Sequence, residues 1–216
     1  RCGITSKTLN KILSKSEWKI PTFEVQLATD SKGHPKKLAG EVMIEPKLDG
    51  VRAIAIIYAT GNVMLYSRNG KEFANFPHIA NDLSKIADTF RSHDTDALVI
   101  DGEITGKSFQ ELMRGATKKD HTATDSVFNV FDFMILEDFK RGYSNRSQID
   151  RLLALESLVN RVQMQSVVMV KGKQINLDNE EAHKVMADYA NTCVADGYEG
   201  IMIKKLDAPY ECRRST

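Results

Sequence analysis

The sequence predicts an α+β fold, antiparallel-rich sheets flanked by helices, and three observations carry that reading. Apolar runs of strand length arrive as near neighbours at 41–45, 51–59 and 62–67, too close together for crossover helices. Later runs at 97–105, 126–136 and 200–205 are interleaved with stretches of helical periodicity. Finally, 216 residues with 42% apolar and 27% charged side chains can bury a substantial core.

Taken in order, residues 5–17 place Leu9, Ile12 and Leu13 at helical spacing, and 20–40 read as an irregular connection rich in Pro, Gly and Lys. The three strands follow, and Asn69-Gly70 closes the third as a tight turn in which both residues tolerate positive φ. A helix over 76–91 sets Ile79, Leu83, Ile86, Ala87 and Phe90 on one face. The runs at 97–105 and 126–136 are too apolar for solvent-facing ribbons. Ser147 and Asp150 open a helix with the stripe Leu152, Leu155, Leu158, Val159 and Val162. Asp178, with Glu181 three residues on, opens another, striped by Ala182, Val185, Met186, Tyr189, Ala190 and Cys193 and closed by Gly197. Residues 200–205 return to strand.

Composition excludes several function classes. Thirty basic against 29 acidic residues give a net charge of +1, so any polyanion site is a local patch. No apolar run reaches the roughly 18 residues of a membrane span, and no signal peptide opens the chain. Cys2, Cys193 and Cys212 are scattered, without the paired spacing of a zinc ribbon or a disulfide framework. The expectation is a reduced, cytoplasmic, soluble protein. Because it begins at Arg1 rather than Met, a piece of a longer protein is expected.

The most informative stretch is Glu45-Pro46-Lys47-Leu48-Asp49-Gly50-Val51-Arg52, between two apolar strands. A Lys-Asp pair is most often a solvated hairpin. Here Pro46 and Gly50 bracket the lysine, and its flanking strands read as buried. A lysine held there loses hydration, and a dehydrated amine attacks an electrophile more readily.

Lys-x-Asp-Gly-x-Arg resembles the signature of the covalent nucleotidyltransferases: DNA ligases, RNA ligases and mRNA capping enzymes. The family's other motifs follow in order, as Ser67-Arg68-Asn69-Gly70, Asp101-Gly102-Glu103, Val130-Phe131-Asp132-Phe133 and Glu199-Gly200-Ile201-Met202-Ile203-Lys204. In combination these most resemble the adenylation domain of an ATP-dependent DNA ligase, with the nucleotidyltransferase (ATP-grasp-like) fold. The resemblance implies ATP as nucleotide, AMP as covalent intermediate, Mg²⁺ or Mn²⁺ as metal and nicked double-stranded DNA as partner. It further implies a monomer of bacterial or viral origin that meets no membrane.

Residue roles carry over motif by motif. Lys47 would attack the α-phosphorus of ATP, hold AMP on nitrogen and pass it to the nick's 5′-phosphate, after which the 3′-hydroxyl seals the strand. Such steps need charge neutralised above all. Glu45 resembles the acceptor for the adenine amine, and Arg52 the arginine on the ribose. Arg68 resembles the clamp on the 5′-phosphate, a task suited to a guanidinium fork. Glu103 would hold the ribose hydroxyls and, with Glu199, help bind the metal; magnesium needs few carboxylates. Phe131 is the ring that would stack on adenine, with alternation placing Val127, Asn129, Phe131 and Phe133 on one face. Lys204 and Arg214 would face phosphates. Plain alternatives stand beside these roles: a surface glutamate at 45, structural ion pairs at Arg52 and Glu103, an ordinary core phenylalanine at 131 and a solvated lysine at 204.

The resemblance also divides the chain. Residues 1–20 match the end of an N-terminal helical DNA-binding region or linker, and 21–216 the adenylation domain. The text stops before the family's last lysines and its C-terminal OB-fold domain. Competing readings are an RNA ligase or GTP-using capping enzyme with the same lysine, and a nick-binding module impaired in catalysis. An acceptor carboxylate at Glu45 favours adenine, because guanine offers a carbonyl there.

Overall fold

The computed structural model describes residues 23–31, 34, 38–91, 95–106 and 124–214. The expected helix at 5–17, Cys2 and the whole 1–20 region lie outside them. A five-stranded sheet carries the centre of the chain, in the order β3-β2-β4-β5-β7. Its strands are β2 (Val51–Tyr58), β3 (Val63–Ser67), β4 (Ala97–Thr105), β5 (Val127–Ile135) and β7 (Val167–Met169), all antiparallel neighbours except the parallel β5–β7 pair. A second sheet of three, β8-β1-β9, joins β1 (Glu41–Lys47) to β8 (Lys173–Asn176) and β9 (Gly200–Lys205), antiparallel throughout. β6 (Tyr143–Ser144) and β10 (Tyr210–Glu211) form a short ribbon. The α+β expectation holds.

One face of the large sheet packs on α1 (Pro77–Ser84), α2 (Ala87–Phe90) and α4 (Gln148–Arg161). Ala53, Ala55, Ile57, Ile100, Phe128 and Val130 from the strands meet Ile79, Leu83, Ile86, Phe90 and Leu155 there, all buried. Each fully buried Ile or Phe contributes about 1.5–3 kcal/mol, so this layer anchors the sheet. Ile54, Ile56, Val99 and Met134 line one part of the opposite face, covered by Val25, Tyr210 and Cys212 and by α3 (Leu136–Arg141). The polar remainder of that face carries Arg52, Asp101, Glu103 and Phe131. In the small sheet, Val42, Ile44 and Ile175 pack with Ala182, Val185 and Met186 of α5 (Glu180–Ala195).

The expected elements need four adjustments. The helix expected over 76–91 is two, α1 and α2, and the stripe bridges them because all five apolar residues remain buried. The run expected as strand through 136 ends at Ile135. Leu136 instead opens α3, with Glu137 and Asp138 in its first turn, Lys140 and Arg141 in its last and Gly142 left-handed at its end, each favourable to the helix dipole or cap. Asn179, rather than Asp178, caps α5, accepting from the Glu181 amide; Asp178 instead accepts from Gly40 N at 2.9 Å. At the 67–70 turn only Gly70 takes positive φ (77°), so Asn69 does not share the conformation expected of it. Ser147 caps α4 as expected, accepting from Asp150 N at 3.2 Å.

Candidate active site

Lys47 ends β1 directly opposite Gly200, the first residue of β9. That pairing brings Glu199 alongside: its amide donates to the Lys47 carbonyl at 3.0 Å, and its carboxylate forms an ion pair with Lys47 Nζ. The two side chains are 46% and 42% exposed, which overturns the expectation of a dry lysine. β1 is buried along its middle, but Lys47 sits where the strand leaves the sheet. What distinguishes this amine is its carboxylate neighbour, not loss of water.

Gly50 is required by a close approach. A Cβ there would lie 2.3 Å from the Ile104 carbonyl oxygen and 3.0 Å from Glu103 Cγ, so the 48–50 turn rests directly on β4. The chain then enters β2 with Arg52 opposite Glu103. Arg52 grips the fully buried Asp101 with both arms of its fork, Nε to Oδ1 at 2.9 Å and Nη2 to Oδ2 at 2.6 Å. Burial works against the Arg52 charge, but Asp101 outweighs it and holds the guanidinium more firmly protonated than usual.

Glu103 is half-buried; its carbonyl accepts from Asn129 Nδ2 at 3.2 Å, but its carboxylate has no hydrogen-bond or ion-pair partner among the described residues. Burial pushes its carboxyl up to about 7, with Arg52 and Lys47 pulling it down and Asp101 and Asp49 adding to the rise. An acid so placed favours any cation that enters. No group of three or more His, Cys, Asp or Glu among the described residues forms a ready-made metal cage. The carboxylates of Glu103 and Glu199 suit a magnesium ion that takes its other ligands from phosphate and water.

Phe131 reaches the site through a β-bulge. Asp101 pairs with Asp132 but Gly102 pairs with Val130, leaving Phe131 as the extra residue. The bulge reverses the alternation: Phe128, Val130 and Phe133 all join the core under the helices, while Phe131 turns to the polar face. The expectation that Phe131 and Phe133 share a face is therefore wrong. Its ring lies under two cations, Lys204 Nζ at 4.6 Å and the Arg52 guanidinium carbon at 5.6 Å from the centroid.

Lys204 joins the two sheets. Its ammonium pairs with Glu45 at 2.7 Å and donates to the Phe131 carbonyl at 3.2 Å, so it faces the Phe131 wall rather than Lys47. Glu45 is only 3% exposed, not a surface glutamate. Burial raises its carboxyl above the usual range, against the pull of Lys204. Gly172 presses against this pair's wall, since a Cβ there would sit 2.6 Å from Met43 Sδ and 2.9 Å from Glu45 Cγ.

Two expected site residues stand apart. Arg68 is exposed in the turn after β3. Arg214 donates to the Ala28 carbonyl at 2.7 Å, beside the Leu27 bridge, and contacts none of the other expected residues. Sequence reasoning missed the buried polar layer beneath the site. Tyr210 donates to Asp101 at 2.6 Å, and Arg151, fully buried, pairs with Asp132 at 2.7 Å and with Gln148 at 2.6 Å. The signal for Asp132 was available, because an acid inside an apolar strand demands a buried partner; nothing marked Arg151. Cys193 and Cys212 are both free and buried, in line with the scattered cysteine spacing. No helix among the described residues is long and apolar enough to cross a membrane.

A solved structure named Pmar-Lig_PreS3 superposes with a TM-score of 0.90 at 37% identity, covering 100% of this chain and 50% of that one. Chlorella virus DNA ligase-adenylate, at 19% identity, shares the fold with a TM-score of 0.62 over 89% of this chain and 64% of its own. A DNA ligase of Methanococcus maripaludis is 24% identical over 189 residues, 77% of this chain and 31% of the relative, so the chain spans about a third of that curated relative's length. The family model described as ATP dependent DNA ligase domain matches residues 25–216, and the chain belongs to that family.

Proposed function

We propose that this chain is the nucleotide-charging part of an ATP-dependent DNA ligase, with Lys47 as the residue that carries AMP. The observation that supports this most is the convergence of two sheets. β1 and β9 bring Lys47 to Glu199, while β2, β4 and β5 present Arg52, Glu103 and Phe131 on one polar face.

The neutral amine of Lys47 attacks the α-phosphorus of ATP; the N–P bond forms as the bond to pyrophosphate breaks, and the amine proton leaves to solvent through the open side of the site. Half-exposure of Lys47 lets the triphosphate approach. The Phe131 ring offers the base a flat face, with Glu45 beside it as an acceptor for an exocyclic amine. Arg52 is held rigidly by Asp101, and its Nη1, which has no protein partner among the described residues, is left to bind a sugar hydroxyl or phosphate oxygen. A magnesium ion at Glu103 and Glu199 would neutralise charge on the phosphates. Arg68, exposed on its turn, would meet the 5′-phosphate of nicked duplex DNA.

In this reading residues 21–216 are the adenylation domain, 1–20 end a helical DNA-binding region, and an OB-fold domain completes the enzyme. The protein works as a monomer in the cytoplasm. The test is incubation of the full-length protein with α-labelled ATP and Mg²⁺: label on Lys47, absent from Lys47→Ala and transferred to nicked DNA on addition, supports the reading. No uptake by the full-length protein contradicts it.

A further inference from the structure

We propose that Tyr210 is a positioning residue for nucleotide binding, acting through Asp101 on Arg52; this rests on the function proposed above. The Tyr210 hydroxyl donates to Asp101 Oδ2 at 2.6 Å, the same oxygen that receives Arg52 Nη2 at 2.6 Å. It also accepts from the Gln26 amide at 3.2 Å, so the hydroxyl ties the segment before β1 to β4. The ring is held as well, 1% exposed, with the Arg151 guanidinium carbon 5.7 Å from its centroid.

Asp101 therefore cannot rotate. With one oxygen shared between tyrosine and arginine and the other taken by Arg52 Nε, its carboxylate plane is set from behind, and the plane sets the guanidinium. Arg52 is 20% exposed at the side chain, and what it shows the cleft is the edge that Asp101 does not use. Asp132, the register partner of Asp101, is locked in the same way by Arg151. The two locked acids flank the bulge that turns Phe131 outward. Tyr210, between Asp101 and Arg151, touches both. The C-terminal segment carrying Tyr210 thus reaches Arg52 through Asp101, from the same face of the large sheet.

The experiment separates positioning from bulk stability. ATP dissociation constants are measured in the full-length protein in a Lys47→Ala background, where no covalent step intervenes, with and without Tyr210→Phe. Removing the hydroxyl deletes one hydrogen bond to a charged group, and the dissociation constant should rise about tenfold. In the Lys47 protein the same change should raise the half-saturating ATP for labelling similarly, with the saturating rate within about twofold. Adding Tyr210→Phe to Asp101→Asn should change ATP binding no further, because both act through one relay. Unaltered ATP affinity in Tyr210→Phe, or additive effects in the double variant, would overturn the proposal. Should Tyr210→Phe not fold, Asp101→Asn alone decides: weakened ATP binding supports the relay and unchanged binding refutes it. Failure of wild-type protein to take label would instead count against the enzyme reading, and the dissociation constants would still judge Tyr210.

Discussion

Lys204 on β9 lies 2.7 Å from Glu45 on the neighbouring strand β1, and both side chains are largely withdrawn from water. The pair neutralises a carboxylate that β1 buries on its way to Lys47. It also ties the Phe131 carbonyl, hence the bulge, to β9.

Lys204→Met leaves Glu45 buried without its counter-ion, at an expected cost of about 3 kcal/mol at pH 7. Burial already raises Glu45, Asp132 adds to the rise and Lys204 opposes both, so removing Lys204 raises it further. A carboxyl that protonates more readily folded than unfolded gains stability as pH falls through its folded value towards the ordinary value of 4.5. Urea denaturation at pH 7 and pH 5 should show the deficit of the variant shrinking on acidification.

Glu103 makes the complementary case, its carboxylate unpaired among the described residues. Its folded value of about 7 lies above the ordinary 4.5, so the protein gains stability as pH falls from about 8 towards 5. Glu103→Gln removes that dependence and stabilises the protein by about 1 kcal/mol at pH 8, the full shift being discounted for partial exposure. Thermal melts at both pH values check this, and nucleotide transfer should be lost in the same variant.

Gly50→Ala drives a methyl into the Ile104 carbonyl, 2.3 Å away, and towards Glu103 Cγ at 3.0 Å. The backbone oxygen belongs to a paired strand and cannot retreat. A loss of about 1–3 kcal/mol is expected in chemical denaturation, with labelling of Lys47 reduced because the turn that follows it is displaced.

Arg151→Met strands Asp132 in the core and should destabilise the protein by about 3–5 kcal/mol. Asp132→Leu combined with Arg151→Met should be less damaging than Arg151→Met alone, since no charge is then left unpaired. Denaturant midpoints for the three proteins decide it.

Local signals made much of this legible. Ser147 announced α4 because its hydroxyl caps it, and Gly50 and Gly70 marked turns whose geometry needs them. The motif residues Lys47, Arg52, Glu103, Phe131 and Glu199 were legible as a set because their motifs resemble, in order, those of the covalent nucleotidyltransferases. Sequence periodicity missed the bulge at Phe131, because a single extra residue is invisible until the partner strand is known. It misjudged Lys47 by reading hydration from flanking residues, when exposure depends on where β1 leaves its sheet. Long-range partners such as Tyr210 with Asp101, separated by 109 positions, leave no mark in any local window.

The central claim is that Lys47, held beside Glu199 and opposite the Arg52–Glu103–Phe131 face, accepts AMP from ATP. The most direct test is the intact mass of the full-length protein after exposure to ATP and Mg²⁺, with proteolytic mapping of the adduct. The account predicts a gain of one AMP, acid-labile and mapped to Lys47, and no gain in Lys47→Ala. An unmodified mass, or an adduct on another residue, would contradict it.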